Sequence, residues 1–117
     1  MIKKAFTLIE LLVVIAIIAI MITVGTVSYQ RSLRLARDSK RKTDLEQIRQ
    51  ALETYRSETG AYPASTSSLA PDYITVLPTG PKLDTYDYTG DTSTYSLCAS
   101  LETIASPATC NYTVTNP

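Results

Sequence analysis

The chain has 117 residues, with 11 Lys and Arg against 11 Asp and Glu, two Cys and no His. That length holds one small domain at most. Two thiols without an imidazole make a poor structural zinc site. No nucleophile–base pair or phosphate-cradling glycine loop stands out, which argues against an enzyme.

The neutral total conceals two unlike halves. Residues 1–58 hold every Lys and Arg except Lys82, whereas Asp72, Asp84, Asp87, Asp91 and Glu102 leave residues 59–117 acidic. An acidic head on a basic stalk lets one copy attract another, head to stalk. The alternative is that each half is simply solvated.

In chain order, Lys3 and Lys4 form a short basic start, and apolar character then runs from Phe6 to Val27, broken only by Thr7, Glu10, Thr23, Gly25 and Thr26. A cleaved secretory signal has an apolar stretch of only about 7–15 residues, whereas about 20 suffice to cross a bilayer as a helix. The segment therefore reads as one retained by the mature protein, in a membrane and then among other helices. Glu10 is its one acid. A carboxylate at membrane depth costs several kcal/mol and marks function, so Glu10 calls for a partner that neutralises it; the alternative is an acid snorkelling to the interface.

The basic run Arg31, Arg34, Arg37, Lys40, Arg41 and Lys42 follows. Contact with lipid headgroups and with acidic heads of other copies is its expected role, and nucleic acid is the weaker alternative because base-stacking aromatics are missing. Leu45, Ile48, Leu52 and Tyr55 recur at helical spacing, with Asp44, Glu46, Arg49, Glu53 and Arg56 on the other faces. Gly60 and Pro63 supply a stop. The pattern predicts one near-continuous helix from about residue 6 to about residue 58, with an apolar stripe that needs a cover.

The texture then changes to Thr, Ser, Tyr, Pro and Asp. Residues 64–68 read as a polar loop. Strand-like runs cover residues 73–77, 85–89, 94–101 and 110–114, and Tyr95, Leu97, Ala99 and Leu101 alternate as half-buried strands do. Gly90 with its neighbours Thr89 and Asp91 is a turn signal, so a hairpin is expected there, with Tyr86, Tyr88 and Tyr95 packing on the sheet. Cys98 and Cys110 read as a disulfide made in an oxidising compartment; two free thiols are the alternative. The fold class is α+β: a long N-terminal helix packed against a small C-terminal antiparallel sheet.

The run KKAFTLIELLVVI at residues 3–15 closely resembles the class III signal of type IV pilins and type II secretion pseudopilins. The resemblance is strong over residues 3–30 and one of layout beyond, although Thr59 to Pro63 also looks like the helix end of short members. It implies the pilin fold and a structural role. It divides the chain into a leader at 1–5, an assembly helix at 6–30, an amphipathic helix half at 31–59 and a head at 60–117 with a C-terminal cysteine loop.

The same resemblance implies that a prepilin peptidase cuts between Ala5 and Phe6 and methylates the Phe6 amine. Glu10 becomes the fifth mature residue, which pairs with the Phe6 amine of a neighbouring copy. Implied partners are copies of the chain in a helical filament, the peptidase, the inner-membrane assembly machinery and the membrane before assembly. The destination is an extracellular pilus or, alternatively, a periplasmic pseudopilus; a membrane-tethered module that never polymerises is the third reading. No cofactor is expected. Calcium on Asp84, Asp87 and Asp91 is the weak alternative, suggested by major pseudopilins.

Two departures are visible. Ala5 stands where the family has Gly before the cut, and the first helix lacks the proline that many pilins carry. Thr23, Gly25, Thr26 and Ser28, weak helix formers, are candidates for local unwinding on packing instead. The run from Arg31 to Lys42 would place the head in the cytoplasm by the positive-inside rule; the cleavage signal, Lys3, Lys4 and the cysteine pair place it outside.

Overall fold

A computed structural model describes Met1, residues 4–105 and residues 109–117, so Lys3 lies outside the described residues. The element order is a long helix α1 (Leu8–Thr59), a short 3-10 turn (Thr66–Leu69), and three strands, β1 (Asp87–Gly90), β2 (Tyr95–Ala99) and β3 (Tyr112–Thr115). The chain divides into two compact units, Met1–Leu33 and Arg34–Pro117.

In the first unit every described residue is exposed. Helix α1 begins at Leu8 rather than Phe6 because Thr7 is its N-cap, with its carbonyl accepting the first helical bond from the Leu11 N–H at 3.3 Å. The weak helix formers stay helical here, and two hydroxyls bond back to the helix: Thr23 donates to the Ile20 carbonyl at 2.7 Å and Thr26 to the Thr23 carbonyl at 3.0 Å. Such back-bonding pairs those two hydroxyl hydrogens on an otherwise apolar surface.

The second unit holds the core. Leu45, Ile48, Ala51 and Leu52 of α1 cluster with Tyr62, Leu69, Tyr95, Leu97 and Ala99, and Tyr55 packs half-buried at the edge. The expected stripe thus meets the expected face of β2. Gly60 ends the helix at φ 85°, its N–H on the Arg56 carbonyl at 2.8 Å. This is the left-handed position after a helix that glycine fills without a Cβ penalty.

The sheet is antiparallel in the order β1-β2-β3. The β1–β2 hairpin pairs Gly90 with Tyr95, and the Asp91 N–H donates to the Thr94 carbonyl at 2.9 Å, so the predicted turn is present. Tyr95 packs edge-on against Tyr62, with ring centroids 4.7 Å apart, and stacks with Tyr88. Residues 73–77 are not a strand, contrary to expectation. Leu69 ends a 3-10 turn whose carbonyl accepts from the N–H groups of both Tyr73 and Ile74, at 2.9 and 3.0 Å. Pro71 and Pro78 on either side lack the donors a sheet ladder needs.

A disulfide joins Cys98 in β2 to Cys110 before β3, with Cα atoms 5.7 Å apart. Asn111 closes the same loop by accepting from the Leu101 N–H at 2.7 Å and donating to the Leu101 carbonyl at 2.9 Å. Leu83 has φ 61°, a left-handed conformation that costs an L-residue about 1–2 kcal/mol.

Leu52 has no exposed surface. Leu52→Ala is expected to lower the stability of the second unit by about 2–5 kcal/mol through lost transfer energy and a cavity. Urea unfolding of the full chain in detergent, followed by tyrosine near-UV dichroism, measures it. Cys98→Ser with Cys110→Ser is expected to cost about 2–4 kcal/mol in the same assay.

Candidate functional site

Two constellations carry the chemistry. The first is at the start of α1. Thr7-Leu8-Ile9-Glu10 has the Thr-x-x-Glu spacing of a capping box. The Glu10 N–H donates to Thr7 Oγ1 at 3.3 Å, and Glu10 Oε2 accepts from the Thr7 N–H and the Thr7 hydroxyl, both at 2.9 Å. Glu10 Oε1 accepts no hydrogen bond among the described residues. Residues 4–7 lie outside the helix, so the Ala5–Phe6 peptide takes no part in helical hydrogen bonding, and Phe6 is 84% exposed. The capping role of Glu10 is readable from the Thr-x-x-Glu pattern and was missed by treating the acid only as a charge in lipid.

The second constellation lies in the second unit, on the helix face that continues the apolar stripe towards the N-terminus. There the buried positions are charged: Asp38, Arg41 and Asp44. Arg41 is 3% exposed. Its guanidinium donates to Asp38 at 3.0 Å, to Asp84 at 2.9 Å and to Glu102 at 3.2 Å. Glu102 also takes two bonds from Arg37, at 2.8 and 2.6 Å, and pairs with Lys82 at 3.2 Å. Asp38 accepts the backbone N–H groups of Glu102 and Thr103, each at 2.8 Å, and the Thr103 hydroxyl at 2.7 Å. Asp44 pairs with Lys40 and accepts from the Tyr86 hydroxyl at 2.6 Å.

This arrangement departs from two expectations, the exposure of Asp44 and the freedom of the whole basic run. Asp44 is wholly buried rather than on an outer face, because Lys40 and Tyr86 satisfy it there. Arg37, Lys40 and Arg41 are engaged by acids of their own chain, so within the basic run it is Arg31, Arg34 and Lys42 that make no ion pair among the described residues; Lys42 lies 5.2 Å from the Tyr112 ring centroid. The three aspartates do not converge. Asp84 turns to Arg41, Asp87 is exposed opposite Cys98, and Asp91 accepts the Ser93 N–H at 2.8 Å in the hairpin turn. Among the described residues no group of three or more Cys, Asp or Glu is placed to hold a metal ion.

The electrostatics follow from the contacts. The Arg37 hydrogen bonds, with those of Lys82 and Arg41, hold the Glu102 carboxyl down to about 2 from its ordinary 4.5. Burial pushes Asp38 and Asp84 up, but hydrogen bonds outweigh it: the Glu102 and Thr103 groups for Asp38, Arg41 for Asp84, so both end below the ordinary value. Burial pulls Arg41 down, and its bonds to Asp84 and Glu102 raise it further than that. Burial and the bond to Asp44 raise Tyr86. Sequence spacing alone hinted at part of this: Asp38 with Arg41, and Lys40 with Asp44, are three and four apart on a helix. Nothing in the spacing marked Lys82 or Glu102.

Residues 1–26 match the family model described as the prokaryotic N-terminal methylation motif. This is the class III signal of type IV pilins and pseudopilins. No curated protein and no solved structure matches the chain.

Carboxylates held below their ordinary value stabilise the fold above about pH 4.5 and do so less as pH falls towards 2. The melting temperature of the full chain in detergent is expected to drop across that window, and Glu102→Gln to flatten the dependence. Arg41→Met, which leaves buried acids without their cation, is expected to cost about 3–5 kcal/mol at neutral pH.

Proposed function

We propose that the protein is a structural subunit of a type IV pilus-like fibre, cut between Ala5 and Phe6, methylated on the new Phe6 amine and polymerised through the N-terminal part of α1. The observation that carries this reading is the methylation motif on a helix whose aliphatic residues are exposed among the described residues. The motif supports a type IV pilin-like or pseudopilin substrate of a prepilin peptidase, and the apolar helix supports anchoring in a membrane before assembly.

The chemistry is consistent at each step. A peptidase needs an extended, exposed peptide, and residues 4–7 precede the helix. Before the cut, Glu10 is occupied through Oε2 by Thr7, which blunts the cost of an acid in lipid. After the cut, Phe6 bears a cationic amine. Glu10 of one copy then meets the Phe6 amine of the next through the oxygen that Thr7 does not use. In a low-dielectric bundle such a pair sets register more than it adds stability, since breaking it commonly costs about 3–5 kcal/mol while forming it is nearly neutral. The bulk attraction comes from the aliphatic faces once the helices exchange lipid for each other.

Intact mass and N-terminal sequence of protein sheared from the cell surface test this. Methyl-Phe6 as first residue in abundant fibres is the expected result. Processed protein confined to the envelope would favour a pseudopilin, and an unprocessed Met1 chain would overturn processing and assembly together. Glu10→Ala is expected to abolish fibres while leaving membrane insertion intact; unchanged behaviour would indicate a non-polymerising tether.

A further inference from the structure

We propose that the Cys98–Cys110 bond is a redox latch on the charged network of the second unit. The bond holds residues 101–103 against α1, and its reduction releases them and frees Arg37 and Arg41 while the apolar core stays folded. The position of the two cysteines is the first reason. Cys98 lies in β2, shortly before Glu102, and Cys110 immediately precedes Asn111. Asn111 in turn holds Leu101, accepting its N–H at 2.7 Å and donating to its carbonyl at 2.9 Å. Glu102 is the next residue. The sulfur bridge therefore anchors the base of the segment that carries the network's acid.

Little else restrains that segment. Leu101 is buried but stands outside the apolar cluster of Leu45, Ile48, Leu52, Leu69 and Leu97. Glu102 is half-buried, and Thr103, Ile104 and Ala105 are exposed. What ties them to α1 is polar: the bonds of Glu102 to Arg37 and Arg41, and those of Asp38 to the Glu102 and Thr103 groups. Strand β3, which also carries the chain back towards β2, is a four-residue edge strand whose side chains are half-buried or exposed. Segments with so few buried apolar contacts open locally at low cost. A bridge over a short loop restricts the unlinked chain by roughly a hundredfold. Without it, Glu102 must find its arginines from a loosely held segment.

The bond is reachable from one side. Cys98 is buried, whereas Cys110 is half-buried. A thiolate of an external dithiol attacks Cys110 Sγ, and Cys98 leaves as a thiolate that takes up a proton. The second thiol of the dithiol then displaces Cys110, which takes up another. The chain gains two electrons and two protons, and the dithiol becomes a disulfide. Once Glu102 swings away, Arg41 keeps Asp38 and Asp84, and Arg37 has no acid among the described residues. Both guanidiniums then face water, beside Arg31, Arg34 and Lys42, which make no ion pair among the described residues.

The test follows the Glu102 carboxyl carbon by NMR in the full chain in detergent, with and without a phosphine reductant, as the solution is acidified. Glu102→Gln assigns the signal, and tyrosine near-UV dichroism is recorded in parallel. The cations that face Glu102 are Arg37 and Arg41 of α1 and Lys82 of the turn, and the acids that share Arg41 with it are Asp38 and Asp84. In the oxidised chain Glu102 is expected to stay ionised down to about 2. In the reduced chain it is expected to titrate near its ordinary 4.5, with the tyrosine signal kept. Cys98→Ser with Cys110→Ser, without reductant, is expected to match the reduced chain. A Glu102 held equally low in both states overturns the proposal, because Asn111 and β3 then suffice. Loss of the tyrosine signal on reduction overturns it as well, because the bond then holds the core and not a latch.

Discussion

One buried guanidinium fixes the second unit. Arg41 occupies the same helix face as Leu45, Ile48 and Leu52, yet it carries a charge. A charge withdrawn from water is tolerated only with excellent pairing, so carboxylates must come to it. Asp38 comes from the preceding turn of α1, Asp84 from the turn at residues 80–84 and Glu102 from the loop after β2. Two segments without regular hydrogen-bond ladders thereby meet on one side chain, and Arg37 and Asp38 hold the second of them as well. The network is closed: among the described residues no buried side-chain nitrogen or oxygen lacks a partner.

That closure changes what the charge asymmetry means. Acids of residues 59–117 and bases of α1 do attract one another, but Arg37, Arg41, Asp84 and Glu102 do so within one chain. Among the described residues, those of the basic run and of the acidic half that make no ion pair are a smaller set, Arg31, Arg34 and Lys42 on the helix and Asp72, Asp87 and Asp91 beyond it. The same closure makes the turn at Leu83 rigid, because Asp84 serves both the network and the turn.

The first unit solves the opposite problem. Its described residues are all exposed, so they face whatever medium surrounds them, and the backbone must satisfy itself. The helix does this along its length, Thr23 and Thr26 bond back to it, and at its start Thr7 and Glu10 cap one another. Glu10 therefore has a local hydrogen-bonding role in the single chain as well as the proposed role between chains.

Periodicity was sufficient for the elements whose pattern is their cause. The aliphatic run, the stripe from Leu45 to Tyr55, the stop at Gly60, the hairpin at Gly90 and the alternation in β2 were all legible because one face of each must be apolar or one turn must lack a Cβ. The methylation motif was equally legible, since it is a contiguous run of residues that needs no fold to be recognised. Residues 73–77 misled because β-branched residues between two prolines look like a strand until the donors are counted. The buried charges were hidden for a different reason: a local pattern assigns Asp38, Arg41 and Asp44 to water, and only the arrival of Tyr86, Asp84 and Glu102 from residues far along the chain makes their burial affordable. Sequence by itself thus determined the long helix, the hairpin of β1 and β2 and the presence of the methylation motif. Tertiary structure decided which charges face inward, because pairing across long sequence separations is a property of the fold alone.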